Sequence, residues 1–195
     1  SNPVEVSDNI VNFLEQDTAG NNQATDAVGI HIRGGSSGEF KQFTNGDFGS
    51  SDSIDISNAE DTDLDLSNVV VENNEVDVAP GAGSTSASAI GVFADDQSSQ
   101  DYSDITIQNN DLPGEDASAN TLGVFVAEDG GSNTASNIAI QNNNIEQQQF
   151  GVSVSEFGSE VSVTGNEFVD NAVHVNQDDS DFDLGAAFEN NAFVN

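Results

Sequence analysis

Apolar residues recur along this chain in a fixed phrase: two apolar positions separated by one residue, a turn containing Asn, then another apolar position. The phrase is written as Val69-Val71-Asn74-Val76, Ile105-Ile107-Asn110-Leu112, Ile138-Ile140-Asn143-Ile145 and Val161-Val163-Asn166-Phe168. It ends as Ala186-Phe188-Asn191-Phe193, and Val4-Val6-Asn9-Val11 carries the same phase at the start. Between copies lies a second alternating stretch, as in Val28-Gly29-Ile30-His31-Ile32, Ile90-Gly91-Val92-Phe93, Leu122-Gly123-Val124-Phe125-Val126 and Phe150-Gly151-Val152-Ser153-Val154. Its last copy reads Ala172-Val173-His174-Val175, with Ala in the glycine place and His31 and His174 in equivalent places. Alternation with period two predicts strands, and the Asn and Gly clusters between them predict turns.

The second apolar positions fall at residues 6, 71, 107, 140, 163 and 188, and the last four steps between them are 36, 33, 23 and 25 residues. The first step, 65 residues, is expected to hide another coil near Ile54-Ile56-Asn58, with a further strand at Leu64 and Leu66. A phrase that repeats in one direction with irregular spacing does not suit an antiparallel sandwich. It suits a parallel coil in which each turn of chain stacks on the last, about 4.8 Å away, and insertions become loops on its faces. Pro80 to Ala89, Asp95 to Asp104 and Gly114 to Thr121 are the expected insertion loops.

The stretches ITIQNNDL, IAIQNNNIEQQQFGVSV and VSVTGNEFVDNAVHV resemble the repeats of right-handed parallel β-helix proteins, the pectate-lyase-like and NosD-type solenoids. The resemblance covers residues 67–195 well and 1–66 loosely. It implies an all-β, right-handed parallel β-helix of about six to eight coils, one domain spanning 1–195, with long loops on the N-terminal and middle coils. The same solenoid hosts lyases, hydrolases, adhesins and viral spikes, so the fold does not choose among them. Asn74, Asn110, Asn143, Asn166 and Asn191 read as a structural turn ladder, since Asn tolerates left-handed backbone, bonds main chain in turns, and stacks on its counterpart in the next coil. The glycines of the second stretch read as bends or close coil approaches.

Charge changes the picture next. The chain of 195 residues carries 35 acidic residues against 2 Lys and Arg, a net charge of −33, and no Cys. That balance excludes a nucleic-acid binder, which needs a basic footprint. It argues against electrostatic attachment to an anionic membrane, and no apolar run is long enough for a spanning helix. Without Cys there is no disulfide, thiol catalysis or zinc–thiolate site. The composition resembles that of proteins from extreme halophiles, where concentrated salt shortens the Debye length to about 3 Å at 1 M and suppresses self-repulsion. No signal peptide is visible, and an extracellular or cell-surface location in a halophile is the expectation.

Candidate chemistry is sparse. Arg33 and Lys41 are the only basic groups apart from histidine, too few to bind a polyuronate as a lyase would. Carboxylate pairs such as Asp95 with Asp96 arise by chance in so acidic a chain, so they give little support to a glycosidase. His31 and His174, each between apolar neighbours, are expected outside the coil. Asp61, Asp63 and Asp65, and the cluster Asp178, Asp179, Asp181 and Asp183, are candidate ligands for calcium or other hydrated cations, which take oxygen donors. No Asn-x-Ser/Thr sequon occurs, so N-glycosylation is not expected; Ser84 to Ser88 remain open to O-linked sugars. At the N-terminus a short capping helix from Asp8 to Gln16, with Ile10, Phe13 and Leu14 on one side, competes with the strand reading. No C-terminal cap is visible.

The reading that follows is a non-enzymatic extracellular structural or adhesive module that self-associates through its terminal coils, head to tail as a filament, or else a fragment of a longer solenoid. A glycan is a candidate partner. The alternatives are a polysaccharide-active lyase or glycoside hydrolase on the same fold, and a viral receptor-binding spike.

Overall fold

The computed structural model describes residues 4–14, 26–33, 43–44, 47–48, 54–57, 66–79, 86–94, 101–114, 121–128, 134–155, 158–177 and 188–195. Each turn of chain contributes three short strands. The first is β1 (Val4–Ser7), β2 (Ile10–Leu14) and β3 (Asp26–Arg33); the next is β4 (Phe43–Thr44), β5 (Asp47–Phe48) and β6 (Ile54–Ser57). Then come β7 (Leu66–Glu72), β8 (Glu75–Ala79) and β9 (Ser86–Ala94), followed by β10 (Asp101–Gln108), β11 (Asp111–Leu112) and β12 (Thr121–Glu128). The coil β13 (Thr134–Gln141), β14 (Asn144–Glu146) and β15 (Phe150–Val154) precedes β16 (Val161–Thr164), β17 (Glu167–Val169) and β18 (Val173–Gln177). The last described strands are β19 (Phe188–Glu189) and β20 (Ala192–Val194).

Among the described residues, strands of like position pair in parallel to give two seven-stranded sheets and one six-stranded sheet. The chain is a right-handed parallel β-helix. Apolar columns run through its interior. In the first sheet Val6, Val71, Ile107, Ile140 and Val163 stack in register, and the backbone of Phe188 continues that register. Their neighbours Val69, Ile105, Ile138 and Val161 form a second column, and all four are essentially inaccessible. In the second sheet Ile145, Phe168 and Phe193 stack. In the third, Ile30, Ile90, Val124, Val152 and Val175 do so. Each buried aliphatic side chain contributes about 1.5–3 kcal/mol relative to exposure, and only stacking of successive coils makes that burial possible.

The coils do not stack in chain order. The first sheet runs β19-β16-β13-β10-β7-β1-β4, and the other two sheets follow the same sequence of coils. The 43–57 coil therefore lies outside the first coil, and β7 returns to pair with the opposite edge of β1. The 65-residue step does hold a coil, but Ile54 and Ile56 lie over Ile30 and Ile32 in the third sheet rather than in the first. Asn58 and Leu64 fall outside the described residues, and Leu66 opens β7.

Several expectations are corrected. Residues Ile10–Leu14 are a strand, not a helix, because β2 pairs with β8 on one edge and β5 on the other. Ile10 is 43% exposed while Val11 is buried, which is strand alternation. Two of the three insertions are shorter than expected, since β9 already begins at Ser86 and β10 at Asp101. The glycine column also shifts. Pairing of Ile30, Ile90, Val124, Val152 and Val175 places Gly29, Ala89, Gly123, Gly151 and His174 in one column. Gly91 instead aligns with His31 and Phe125. His31 and His174 are thus not equivalent: they stand in different columns of the third sheet.

Candidate functional site: the Asn ladder and the last described coil

The corner between the first and second sheets is held by Asn. The main-chain N–H and the Nδ2 group of Asn74 both donate to Asn110 Oδ1, each at 3.0 Å. Asn110 repeats this with Asn143 Oδ1 at 3.0 Å, and Asn143 with Asn166 Oδ1 at 2.9 and 3.0 Å. Asn9 donates to Asn74 at 3.0 and 2.9 Å, and Asn166 to Asn191 at 2.9 and 3.1 Å. A further Nδ2 bond reaches back to the preceding coil: from Asn74 to Val6 O, Asn110 to Val71 O, Asn143 to Ile107 O, Asn166 to Ile140 O and Asn191 to Val163 O.

The left-handed residue is the one before each ladder Asn, not the ladder Asn itself: Asp8, Asn73, Asn109, Asn142, Gly165 and Asn190 have φ between 55° and 68°. That bend turns the following side chain inward, where a buried amide must find partners. Every Asn-to-Asn bond in the ladder points the same way, so each amide polarises the next.

Two further polar devices were not singled out from the sequence. At the second corner Gln148 N–H donates to Asn171 Oδ1 at 2.8 Å, and Asn171 Nδ2 to Ile145 O at 2.8 Å. The signal for it was present: Gln148 and Asn171 each lie three residues after a core position, Ile145 and Phe168. On the outside of the first sheet Gln141 donates to Gln108 at 2.8 Å and Gln108 to Glu72 at 2.6 Å. Such stacks let amides separate carboxylates that would otherwise repel across strands. In the second sheet Asn144 donates to Asp111 of the preceding coil at 2.9 Å and to Glu146 of its own strand at 2.6 Å.

The candidate cation ligands Asp61, Asp63, Asp65, Asp178, Asp179, Asp181 and Asp183 lie outside the described residues, as do Lys41, Asp95 and Asp96. Among the described residues no group of three His, Asp or Glu side chains is placed to hold a metal ion. Arg33 closes β3, its backbone in register with Ser57 and Phe93. Among the described residues no helix is long and apolar enough to cross a membrane.

The C-terminal coil differs from those behind it. Phe193 stacks on Phe168 with centroids 5.6 Å apart and rings 10° from parallel, yet remains 49% exposed. Val173 and Val194 are 40% and 45% exposed. The Asn191 carboxamide oxygen is filled by Asn166, but among the described residues no further Asn meets the donors that Asn191 presents to a following coil. His174 faces inward, not out: its ring centroid is 5.0 Å from that of Phe193 and 5.8 Å from that of Phe168. Its Nε2 lies 3.2 Å from Asn195 Oδ1, and its Nδ1 is buried without a hydrogen-bond partner.

No family model, curated protein or solved structure matches this chain. Its geometry therefore carries the functional argument.

Proposed function

We propose that this chain is a non-enzymatic structural or adhesive module of the pectate-lyase-like and NosD-type solenoid kind, working outside the cytoplasm of a halophile, and joining end to end through its C-terminal coil. One observation carries the reading. Among the described residues β19 and β20 are the last strands of the first two sheets, flanked by half-exposed Phe193 and Val194 and by donors of Asn191 that no described Asn meets. Open strand edges are templates for pairing. The ladder also gives the contact a direction. A second C-terminal face would bring donor against donor, so the complementary partner is a surface of a different kind. A contact that joins unlike faces and does not close on itself propagates as a polymer.

The net charge of −33 restricts when such joining occurs. Subunits repel in dilute buffer, and salt above about 1 M reduces the screening length to about 3 Å, below the spacing of neighbouring coils. Sedimentation velocity across protein concentration, in roughly 3 M salt where screening is nearly complete, tests the reading. Concentration-dependent association of the native chain, lost when Phe193→Asp and Val194→Asp are combined, is the expected result. A monomer at every concentration overturns it. In the same series, thermal unfolding is expected to move to higher temperature as salt rises; a midpoint indifferent to salt contradicts the halophilic part of the proposal.

A further inference from the structure

The stack departs from chain order at one place. The 43–57 coil, β4 to β6, pairs with one edge of β1, β2 and β3, and β7, β8 and β9 take the other edge. The chain leaves the first coil, lays down 43–57 on one side of it, and returns past it to continue the stack on the other. Consecutive elements usually lie side by side; here a whole coil separates β4–β6 from β7–β9. The segment is internal to the chain, with residues 34–42 leading in and 58–65 leading out.

Two features fasten this coil less firmly than its counterpart across the first coil. Its strands are short: β4 and β5 have two residues each and β6 four, against seven, five and nine in β7, β8 and β9. It also lacks the ladder amide. Ser7 is in register with Thr44 and Ile10 with Asp47, so the intervening Asp8-Asn9 is matched in sequence by Asn45-Gly46. At each ladder step from Asn9 to Asn191 the earlier residue gives a side-chain Nδ2 donor to the later one. Glycine has no such donor to give Asn9.

The seat under the coil is apolar. Val6, Val11, Ile30 and Ile32 are fully buried, and the main chain of Phe43, Phe48, Ile54 and Ile56 is in register with them. Departure of the coil bares this row together with the pairing edges of three strands. Apolar surface and open edges are both unfavourable in water, so the seat refills, and the segment it is built to fit is 43–57.

We propose that the 43–57 coil is an exchangeable clip whose partner is a second copy of this chain. It leaves its own first coil as a unit and settles on β1, β2 and β3 of the neighbour, whose 43–57 coil crosses in return. Exchange of an identical element reuses the pairing of the closed monomer, which makes it a low-cost route to a dimer. The linking segments span at most roughly 30 Å, so the two copies lie with their first coils close together. The product is a closed pair, and it stands whether or not the end-to-end reading holds.

The chain has no Cys, so single thiols report on one contact at a time. His31 and Asp55 are in register across β3 and β6. The variants His31→Cys and Asp55→Cys, one of them isotopically labelled, are mixed at high salt and high protein concentration. They are held in the lowest denaturant at which the β6 amides exchange, returned to native conditions, oxidised and weighed intact without reduction. Neither variant can close a disulfide within itself. A mixed dimer in roughly tenfold excess over either like dimer is expected, because only 43–57 of one chain on β3 of the other brings the two thiols to disulfide geometry. A mixed dimer at the statistical level, or none, overturns the exchange. End-to-end joining through β19 and β20 gives no such selective disulfide, so the two readings fail separately. A second measurement needs no substitution. In native-state hydrogen exchange of the dilute native chain, the β6 amides are expected to exchange roughly tenfold or more faster than those of β9, through opening of the clip alone. Equal protection of β6 and β9 overturns the clip.

Discussion

The interior coils and the last coil are built from the same phrase, yet the same positions do different work in each. In the interior, Asn110 gives two hydrogen bonds forward, one back, and receives two from Asn74. At the end, Asn191 gives one back and receives two from Asn166. Ile145 is fully buried between coils, whereas Phe193 in the same column is half exposed. Gly151 has no room for a methyl, whereas His174 carries an imidazole. The lesson is that in a solenoid a residue's energy belongs to its neighbours above and below as much as to its own type, as nearest-neighbour stacking requires.

The core makes the largest expected difference. Ile140→Ala should cost about 2–5 kcal/mol, because rigid coils on both sides leave the cavity unfilled. Phe193→Ala should cost less than Ile140→Ala despite the larger side chain, since half of its surface already meets water. Denaturant titration at fixed high salt measures both; equal losses would break the distinction between interior and end.

The glycine column comes next. Gly151→Ala is expected to cost about 1–3 kcal/mol by forcing the His174 carbonyl and the Phe168 ring aside. His174→Ala should fall below that range, as the site lies against the described end of the stack. If the glycine variant melts at the native midpoint, the close approach between coils is wrong.

The ladder comes last. Asn110→Ala leaves buried main-chain and amide donors without partners and should cost about 1–3 kcal/mol. Asn191→Ala strands the donors of Asn166 alone and should cost less. A double variant of Asn110 and Asn143 that loses much less than the sum of the single losses would show that the bonds act as one chain rather than pair by pair.

Much of the fold was legible in the sequence because a parallel stack demands repetition. The apolar positions at Val6, Val71, Ile107, Ile140, Val163 and Phe188 fall in one column just as their spacing predicts. The order of the first coils was not legible, because β1 offers two equivalent edges and the phrase does not say which one a later coil takes. The glycine column was misaligned because Ile90-Gly91 imitates Leu122-Gly123, while main-chain pairing puts the small Ala89 in the tight place and leaves Gly91 aligned with His31 and Phe125. That misalignment hid His174, which looked like an outward residue between two apolar ones. Ile10, Phe13 and Leu14 fit a helical period as well as a strand, and only pairing on both edges of β2 decides between them. The acidic clusters at Asp61 to Asp65 and Asp178 to Asp183 lie outside the described residues.

The central claim is that the Asn ladder locks each coil to the one after it, so that Asn191, whose donors meet no described Asn, is held less firmly than Asn110 and Asn143. Native-state hydrogen exchange at high salt and at protein concentrations too low for association reads this residue by residue, because the main-chain N–H of each ladder Asn depends on the coil after it. The account predicts that the Asn110 and Asn143 amides exchange only through global unfolding, while the Asn191 amide exchanges through local opening many times faster. Comparable exchange at Asn110 and Asn191 would contradict it.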